Sequence, residues 1–327
     1  MTASISSQRR KPCALYYSIL SYQPQNLSLL QNLFEVTTLP DPRMDTPELL
    51  ASTHVLFAPL GFPVTAARIA ACPQLRAIVS NTTGVPHIDT EAASARGIAV
   101  CALHDEPAFL DTITATAEHT IGLMLAAWRR VPAAHAAATA GHWDRRPWGA
   151  PSMFSRMRLG IVGFGRLGRK VARIAEAMGM QVRYFDPYVP GGLGSLIELA
   201  RESDVLSLHA PANSDTRGLV SREILEALPS GALVVNTARG ELLDADALLD
   251  LLLSGHIRAA ALDTVDGEYD PGFGDTFGSD RLAVYARTHD NLLLTPHIGG
   301  STLDAWGETE RFVITKAARS LGLNRQA

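Results

Sequence analysis

The chain has 327 residues, more than the roughly 250–300 at which a single hydrophobic core stops growing, so two domains are expected. Its 29 Lys and Arg residues against 33 Asp and Glu residues give a formal net charge of −4, which argues against nucleic-acid and anionic-membrane partners. Apolar residues make up 46% of the chain, and no apolar run approaches the roughly 20 residues of a membrane span. The three cysteines form no CxxC pair, which predicts no metal site and a reducing, cytoplasmic compartment.

The first hundred residues alternate short apolar runs with helical patterns. Four of the runs are typical of buried strands, at residues 14–20, 54–60, 75–80 and 98–103. Helical stretches are predicted between them, at residues 64–71 and 90–96. This alternation indicates βαβ units and a parallel sheet.

A long Ala- and Leu-rich helical tract is predicted at residues 110–138, and Pro132 is expected to kink or interrupt it. Its polar residues, such as Glu118 and His119, favour a connection between two domains rather than a core helix.

A second βαβ series begins at Arg158. Six strands are predicted in this series, at residues 159–162, 182–185, 205–208, 233–236, 259–262 and 292–294. Helical stretches separate most of them, which predicts a second doubly wound sheet.

The first strand of this series runs directly into a glycine motif, Gly163-Phe164-Gly165-Arg166-Leu167-Gly168, and an amphipathic helix leaves it. In such a motif Gly163 allows the tight turn, Gly165 lets the backbone approach a pyrophosphate, and Gly168 allows close packing of helix on strand. Unpaired N–H groups at the helix start attract phosphate. The motif in this context predicts a dinucleotide site.

Asp186 ends the next strand, about 18 residues after Gly168, close to the spacing of the acidic residue that binds the ribose in such sites. A carboxylate there accepts hydrogen bonds from both ribose hydroxyls and repels a 2′-phosphate, so NAD is expected rather than NADP. The alternative is a turn residue preceding Pro187.

Three further patterns stand at the ends of later strands, where open α/β sheets bind ligands. They are residues 235–240 with Arg239, residues 261–268 with Glu268, and residues 295–300 with His297.

With these patterns, the loop Thr83-Gly84-Val85-Pro86-His87-Ile88-Asp89, the helical Thr116-Ala117-Glu118-His119 and the segment 203–211, the chain resembles the D-isomer-specific 2-hydroxyacid dehydrogenases over nearly its whole length. The resemblance implies an α/β protein of two doubly wound parallel-sheet domains. A Rossmann cofactor domain at residues 107–302 would be inserted in a smaller flavodoxin-like substrate domain at residues 1–106 and 303–327.

The resemblance also implies a catalytic set. Arg239 would present its planar fork of donors to the carboxylate and ketone of a 2-oxo acid. His297 would act as the acid and base, and Glu268 would orient its ring. The family usually has Pro after this Glu, whereas Tyr269 follows here and the interval to His297 is long, so Asp266 and Asp270 remain alternative partners of the His.

Further positions follow from the same resemblance. Thr83 and Gly84 match the loop that binds the substrate carboxylate, and Thr83 also approaches the cofactor. His209, Ala210 and Pro211 would line the adenine side. The cofactor contacts implied near the nicotinamide are Thr237, Ala238, Arg239, Asp263, His297 and Gly299.

The substrate is less defined. The turn at residues 58–62 carries no cation, which favours an unphosphorylated 2-hydroxy acid, although Arg145 and Arg146 keep phosphoglycerate open. The residues are also compatible with an acid of another class, such as a phosphonate or sugar acid, and with a non-catalytic NAD-sensing relative. The resemblance implies a homodimer formed through the cofactor domain.

Overall fold

The computed structural model describes residues 10–270 and 272–323, and the chain divides into two compact units. The first comprises Met1–Ile113 and Thr302–Ala327, and the second comprises Thr114–Ser301. The sequence placed these boundaries after Glu106 and before Leu303. The parts of the predicted substrate domain at residues 1–9 and 324–327 lie outside the described residues.

The first unit is built on a parallel five-stranded sheet. Its strands are β1 Cys13–Tyr17, β2 Glu35–Leu39, β3 Val55–Phe57, β4 Ala77–Val79 and β5 Ala99–Cys101. Their order is β2-β1-β3-β4-β5, which is the flavodoxin-like order. The sequence prediction missed β2, because this edge strand exposes most of its side chains and lacks the continuous apolar run of a buried strand.

Four helices join these strands, and a fifth follows β5. They are α1 Pro24–Leu33, α2 Pro47–Ser52, α3 Ala66–Ala70, α4 Thr90–Ala95 and α5 Pro107–Leu110.

The second unit is built on a parallel six-stranded sheet, and every strand predicted for this region is confirmed. The strands are β6 Arg158–Val162, β7 Gln181–Phe185, β8 Val205–Leu208, β9 Ala232–Asn236, β10 Ile257–Leu262 and β11 Leu292–Leu294. Their order is β7-β6-β8-β9-β10-β11, so the chain reverses its direction of winding between β6 and β8. Such a switch point is where doubly wound sheets bind their ligands, at the carboxyl ends of the strands.

Helices cover both faces of this sheet. They are α6 Ala115–Trp128, α7 Val131–Thr139, α8 Arg166–Ala177, α9 Leu196–Arg201, α10 Arg222–Glu226, α11 Ala245–Leu253, α12 Phe273–Thr276 and α13 Arg281–Ala286. Successive residues of β6 show the two faces, because Ile161 packs in one core cluster and Val162 in the other. The last helix, α14 Leu303–Ser320, belongs to the first unit and buries Val313 and Ile314 in its core.

The long helical tract is interrupted near Pro132, as predicted. Helix α6 ends before Arg130, whose φ is +51°, and α7 begins at Val131. The expectation that this tract is not a core helix is wrong for α6. Met124 and Trp128 are buried in the core of the second unit, while the polar Glu118 lies on the exposed face. No helix within residues 10–270 and 272–323 is long and apolar enough to cross a membrane.

Candidate active site

The glycine turn that follows β6 is closed on one side by protein and open on the other. Gly163 has a φ of +90°, and a Cβ atom there would stand 2.6 Å from the backbone nitrogen of Ala210. A Cβ on Gly168 would collide with the carbonyl oxygen of Gly163, so helix α8 packs tightly against the turn. A Cβ on Gly165 would meet no atom within 4 Å. The turn therefore leaves space at the start of α8, which fits the pyrophosphate of a dinucleotide.

Asp186, at the end of β7, is fixed against this turn. Its Oδ2 accepts a hydrogen bond from the N–H of Phe164 at 2.7 Å, and its Oδ1 accepts one from the N–H of Tyr188 at 2.9 Å. Each carboxylate oxygen has a second acceptor position, which remains suited to a ribose hydroxyl. The ring of Phe164 stacks on Tyr184 with centroids 3.7 Å apart, which holds the turn and β7 together.

The segment His209-Ala210-Pro211 follows β8 and forms the wall against Gly163. The Nε2 of His209 lies 2.8 Å from Ser207 Oγ, and its buried Nδ1 has no hydrogen-bond partner among the described residues. Burial lowers the pKa of His209 to about 4, so the ring is neutral at pH 7. A buried polar atom without a partner beside the glycine turn also fits a site that a ligand completes.

The three later patterns meet at one edge of the sheet. Asn236, the last residue of β9, pairs with Leu262, the last residue of β10, and Leu262 pairs with Leu294, the last residue of β11. The chain segments that carry Arg239, Glu268 and His297 therefore leave the sheet at the same level.

His297 contacts Glu268 and neither of the alternative carboxylates. Its Nδ1 lies 2.8 Å from Glu268 Oε1, and the side chain is 31% exposed. Asp266 instead forms an ion pair with Arg217 at 2.9 Å. Within the part of the chain that the structure describes, His297 Nε2 has no hydrogen-bond partner, so this nitrogen remains available to a reacting group.

A buried carboxylate holds the turn on which His297 stands. His297 has a φ of +50°, and its N–H donates to the carbonyl oxygen of Asp263 at 2.8 Å. The Asp263 carboxylate accepts hydrogen bonds from Thr295 Oγ1 at 2.6 Å, from the N–H of Ile298 at 2.9 Å and from the N–H of Gly299 at 2.7 Å. Asp263 is buried, and these donors occupy both of its oxygens. The structure thus shows Asp263 supporting the His297 turn.

Arg239 follows β9 in a turn that Asn236 brackets. The Asn236 Nδ2 donates to the carbonyl oxygen of Arg239 at 2.8 Å, and its Oδ1 accepts from the N–H of Ala238 at 3.0 Å. Thr237 Oγ1 lies 2.7 Å from Thr120 Oγ1 of helix α6. No carboxylate of residues 10–270 and 272–323 pairs with the half-buried Arg239 guanidinium, which leaves the charge available to an anionic ligand.

Thr83 and Gly84 belong to the first unit, where they lie in an exposed loop after β4. The Thr82 hydroxyl donates to the carbonyl oxygen of Gly84 at 2.7 Å and shares a 2.8 Å hydrogen bond with Ser80. The loop is thus held by side chains that precede the two predicted residues.

The sequence reasoning missed several supporting residues. Asn236 brackets the Arg239 turn, and His119 of α6 has its Nε2 3.2 Å from both Asp263 Oδ1 and Thr295 Oγ1. Tyr269 places its hydroxyl 3.0 Å from His297 Nδ1. The departure from the usual Pro after Glu268 marked the Tyr269 position, and the sequence motifs contained His119 and Asn236, but none of these signals indicated the contacts.

A parallel sheet with a glycine turn and an acidic residue at its switch point defines a dinucleotide-binding α/β protein. The model of the D-isomer-specific 2-hydroxyacid dehydrogenase NAD-binding domain matches residues 121–299. The chain belongs to this family and carries its NAD-binding domain, and the predicted family and fold class are confirmed.

Relatives of known name agree with this assignment. The chain is 35% identical over 267 residues to D-3-phosphoglycerate dehydrogenase of Methanocaldococcus jannaschii, covering 79% of this chain and 48% of that protein. It is 30% identical over 309 residues to hydroxypyruvate reductase of Thermotoga maritima, covering 93% of this chain and 96% of that one. A crystal structure of a Thermus thermophilus protein superimposes with a TM-score of 0.80 at 30% identity, covering 95% and 97% of the two chains. The chain spans about half the length of the phosphoglycerate dehydrogenases that it matches.

Proposed function

We propose that this protein is an NAD-dependent dehydrogenase that interconverts a small D-2-hydroxy acid and its 2-oxo acid. The observation that carries the proposal is the His297–Glu268 pair, with Nε2 of the imidazole free, at the same sheet edge as a guanidinium without a carboxylate partner among the described residues. An acid–base group and a cation are what the reduction of a 2-oxo acid requires from the protein.

Each side chain has a defined task in this proposal. Arg239 binds the substrate carboxylate and polarises the ketone through its planar donors. His297 gives the proton on Nε2 to the ketone oxygen during reduction and removes it from the hydroxyl during oxidation. Glu268 accepts the hydrogen bond from Nδ1–H, which keeps Nε2 directed outward and stabilises the imidazolium. A bound nicotinamide dinucleotide supplies or accepts the hydride.

The residues proposed to hold the dinucleotide surround the glycine turn and the strand ends. They are Gly163, Phe164, Gly165, Arg166, Leu167, Gly168, Asp186, His209, Ala210, Pro211, Thr237, Ala238, Asp263 and Gly299. The Asp186 carboxylate, fixed by two backbone N–H groups, supports NAD over NADP because it would repel a 2′-phosphate. The roles of Thr83 and Gly84 stay predictions from the family resemblance.

A small unphosphorylated acid is the favoured substrate. The turn that follows β3, residues 58–62, contains no cation, and Arg43, whose guanidinium lies 5.9 Å from the centroid of the Phe62 ring, is already paired with Asp41. Near-complete alignment with a hydroxypyruvate reductase supports the same substrate class. The second candidate substrate is 3-phosphoglycerate, which the similarity to phosphoglycerate dehydrogenases favours.

Steady-state kinetics test the proposal. Purified protein is mixed with NADH or NADPH and with hydroxypyruvate, glyoxylate, pyruvate or 3-phosphohydroxypyruvate, and the loss of absorbance at 340 nm is followed. Turnover with an unphosphorylated acid and a preference for NADH are expected. Turnover confined to 3-phosphohydroxypyruvate would favour 3-phosphoglycerate over an unphosphorylated acid as the substrate. No turnover with any of these acids would refute the proposed activity.

The His297→Ala variant tests the acid–base role. We expect kcat to fall by about 10²–10⁴ with NADH binding retained, because a positioned acid–base group contributes that range. His135→Ala, which removes an exposed imidazole on α7, is the matched control and should leave kcat unchanged. An unimpaired His297→Ala variant would remove His297 from the reaction.

We also propose a homodimer and a cytoplasmic location. Large apolar side chains of the second unit are exposed at Val131, Trp143 and Met153, which supports association with a second copy. Free thiols at Cys13, Cys72 and Cys101 suit a reducing compartment. Light scattering of the purified protein tests the dimer, and a monomer at micromolar concentration would contradict it.

A further inference from the structure

Tyr269 makes a contact that its position in the sequence does not predict. Its hydroxyl oxygen lies 3.0 Å from His297 Nδ1, the nitrogen that also contacts Glu268 Oε1 at 2.8 Å. The two ring centroids are 5.9 Å apart with the planes inclined by 53°. Two successive residues of one turn thus reach the same nitrogen of the imidazole.

The two contacts are compatible only with certain proton positions. Nδ1 carries either one hydrogen or one lone pair, and an ionised carboxylate can only accept. The contact with Glu268 therefore requires Nδ1–H, and the phenol oxygen then accepts the same hydrogen in a three-centre arrangement. An imidazole whose Nδ1–H has acceptors from two adjacent residues rotates less freely about its Cβ–Cγ bond than an imidazole with one acceptor.

The phenol remains neutral in this environment. Burial raises the pKa of Tyr269 to about 12, and the negative charge of Glu268 acts in the same direction. Arg239 opposes these effects, whereas Glu241 and Asp263 add to them. Tyr269 thus offers a dipole rather than a second negative charge beside the imidazole.

We propose that Tyr269 is a positioning residue for His297, which it holds together with Glu268 so that the Nε2 atom stays directed toward the reacting oxygen. The inference rests on the proposed function of His297. A Pro at position 269 could not make this hydrogen bond to His297, because Pro has no hydroxyl. Tyr269 itself exchanges no proton with the substrate in this role.

The Tyr269→Phe variant removes the hydroxyl and keeps the ring. We expect kcat for reduction to fall about three- to tenfold, the range that one neutral hydrogen bond supplies, with KM for the acid and Kd for NADH within about twofold of the wild type. Tyr285→Phe is the matched control, since the Tyr285 hydroxyl lies 3.0 Å from Asn291 Oδ1 outside the site.

A second measurement does not depend on turnover. The ¹⁵N chemical shift of His297 Nδ1 should change in Tyr269→Phe and remain unchanged in Tyr285→Phe. An unchanged ¹⁵N chemical shift together with wild-type kcat would overturn the inference. A uniform loss of kcat, NADH binding and thermal stability would also overturn it, because it would mark Tyr269 as a packing residue. A wild-type protein inactive on every acid but with the expected shift would refute the proposed function and leave the positioning of His297 by Tyr269 supported.

Discussion

The glycine turn after β6 and the His297 turn after β11 lie on the same sheet but are built in opposite ways. The glycine turn depends on missing side chains, since a Cβ on Gly163 would collide with Ala210 and one on Gly165 would occupy open space. The His297 turn depends on a buried carboxylate, Asp263, that collects donors from Thr295, Ile298 and Gly299. The first turn leaves open space at the start of α8, and the second fixes one imidazole.

Both turns also depend on residues that are distant along the chain, but they use different groups of those residues. The glycine turn is completed by β6, by α8 and by the residues that follow β8. The His297 turn uses a carboxylate more than 30 residues away, and His119 reaches Thr295 across 176 positions. The glycine turn therefore depends on a backbone segment that is distant along the chain, whereas the His297 turn depends on side chains from other strands and helices.

The largest loss of activity is expected from substitution of Arg239. This substitution tests whether the sheet edge that carries His297 binds the acid. Arg239→Ala should lower kcat/KM for the 2-oxo acid by roughly 10²–10⁴, because two charge-assisted hydrogen bonds are lost. Arg239→Lys should recover only part of this loss, since the ammonium lacks the planar fork. Arg222→Ala removes a surface arginine that pairs with Asp250 and serves as the control. Equal kcat/KM values in Arg239→Ala and the wild type would exclude Arg239 from substrate binding.

A pair of glycine variants tests how the other turn works. Gly163→Ala should lower the free energy of unfolding by about 2–5 kcal/mol, because its φ is positive and its Cβ would meet Ala210. Gly165→Ala should leave the free energy of unfolding within about 0.5 kcal/mol, since its φ is −74° and the space around it is open. The same methyl group would stand where the pyrophosphate is proposed, so Kd for NADH should rise at least tenfold.

Urea unfolding and fluorescence titration with NADH measure these two effects separately. Normal NADH affinity in Gly165→Ala would show that no ligand occupies the open side of the turn. Normal stability in Gly163→Ala would show that the turn and the segment after β8 can move apart.

Asp263→Asn tests whether the buried carboxylate holds the His297 turn. Either amide orientation places an NH₂ group against backbone or hydroxyl donors, so we expect the free energy of unfolding to fall by about 2–4 kcal/mol and kcat to fall with it. Asp266→Asn is the control, because this exposed residue pairs with Arg217 at the surface and should change stability by less than about 1 kcal/mol. Equal urea midpoints for the two variants would contradict the support assigned to Asp263.

The two turns also differ in how far the sequence could predict them. The strands of the second unit were predictable from their apolar residues, even in β7, where Gln181 and Arg183 are exposed. The glycine motif was predictable because its three glycines lie in one short segment between a strand and a helix. The edge strand β2 was not, since Glu35–Leu39 exposes polar side chains and pairs along its length with β1.

The sequence predicted the residues proposed to act on the substrate, but not the residues that hold them in place. The motifs identified Arg239, Glu268 and His297, and left Asp266 and Asp270 open as partners of the imidazole. Only the fold shows that Asp266 turns to Arg217, because Gly267, with a φ of +76°, reverses the chain between Asp266 and Glu268. The contacts of Tyr269 and His119 depend on the tertiary structure in the same way, and no spacing in the sequence encodes them.

The smallest effect concerns His209, on the wall of the glycine turn. Burial lowers its pKa to about 4, whereas a histidine in the unfolded chain titrates near 6.5. Below pH 6.5 the unfolded chain therefore binds a proton at His209 that the folded chain does not bind. The free energy of unfolding consequently decreases as the pH falls toward 4. The loss should approach about 1.4 kcal/mol per pH unit, or about 2 kcal/mol between pH 6.5 and pH 5.

His209→Gln isolates this contribution, because glutamine keeps a polar group within reach of Ser207 and does not titrate. The remaining titrating groups are common to both proteins, so the difference between their urea unfolding free energies from pH 7 to pH 5 reports His209 alone. The wild type should lose more stability than the variant over this range. Parallel curves would mean that His209 takes up its proton within the folded protein, and the wall of the glycine turn would then be open to water.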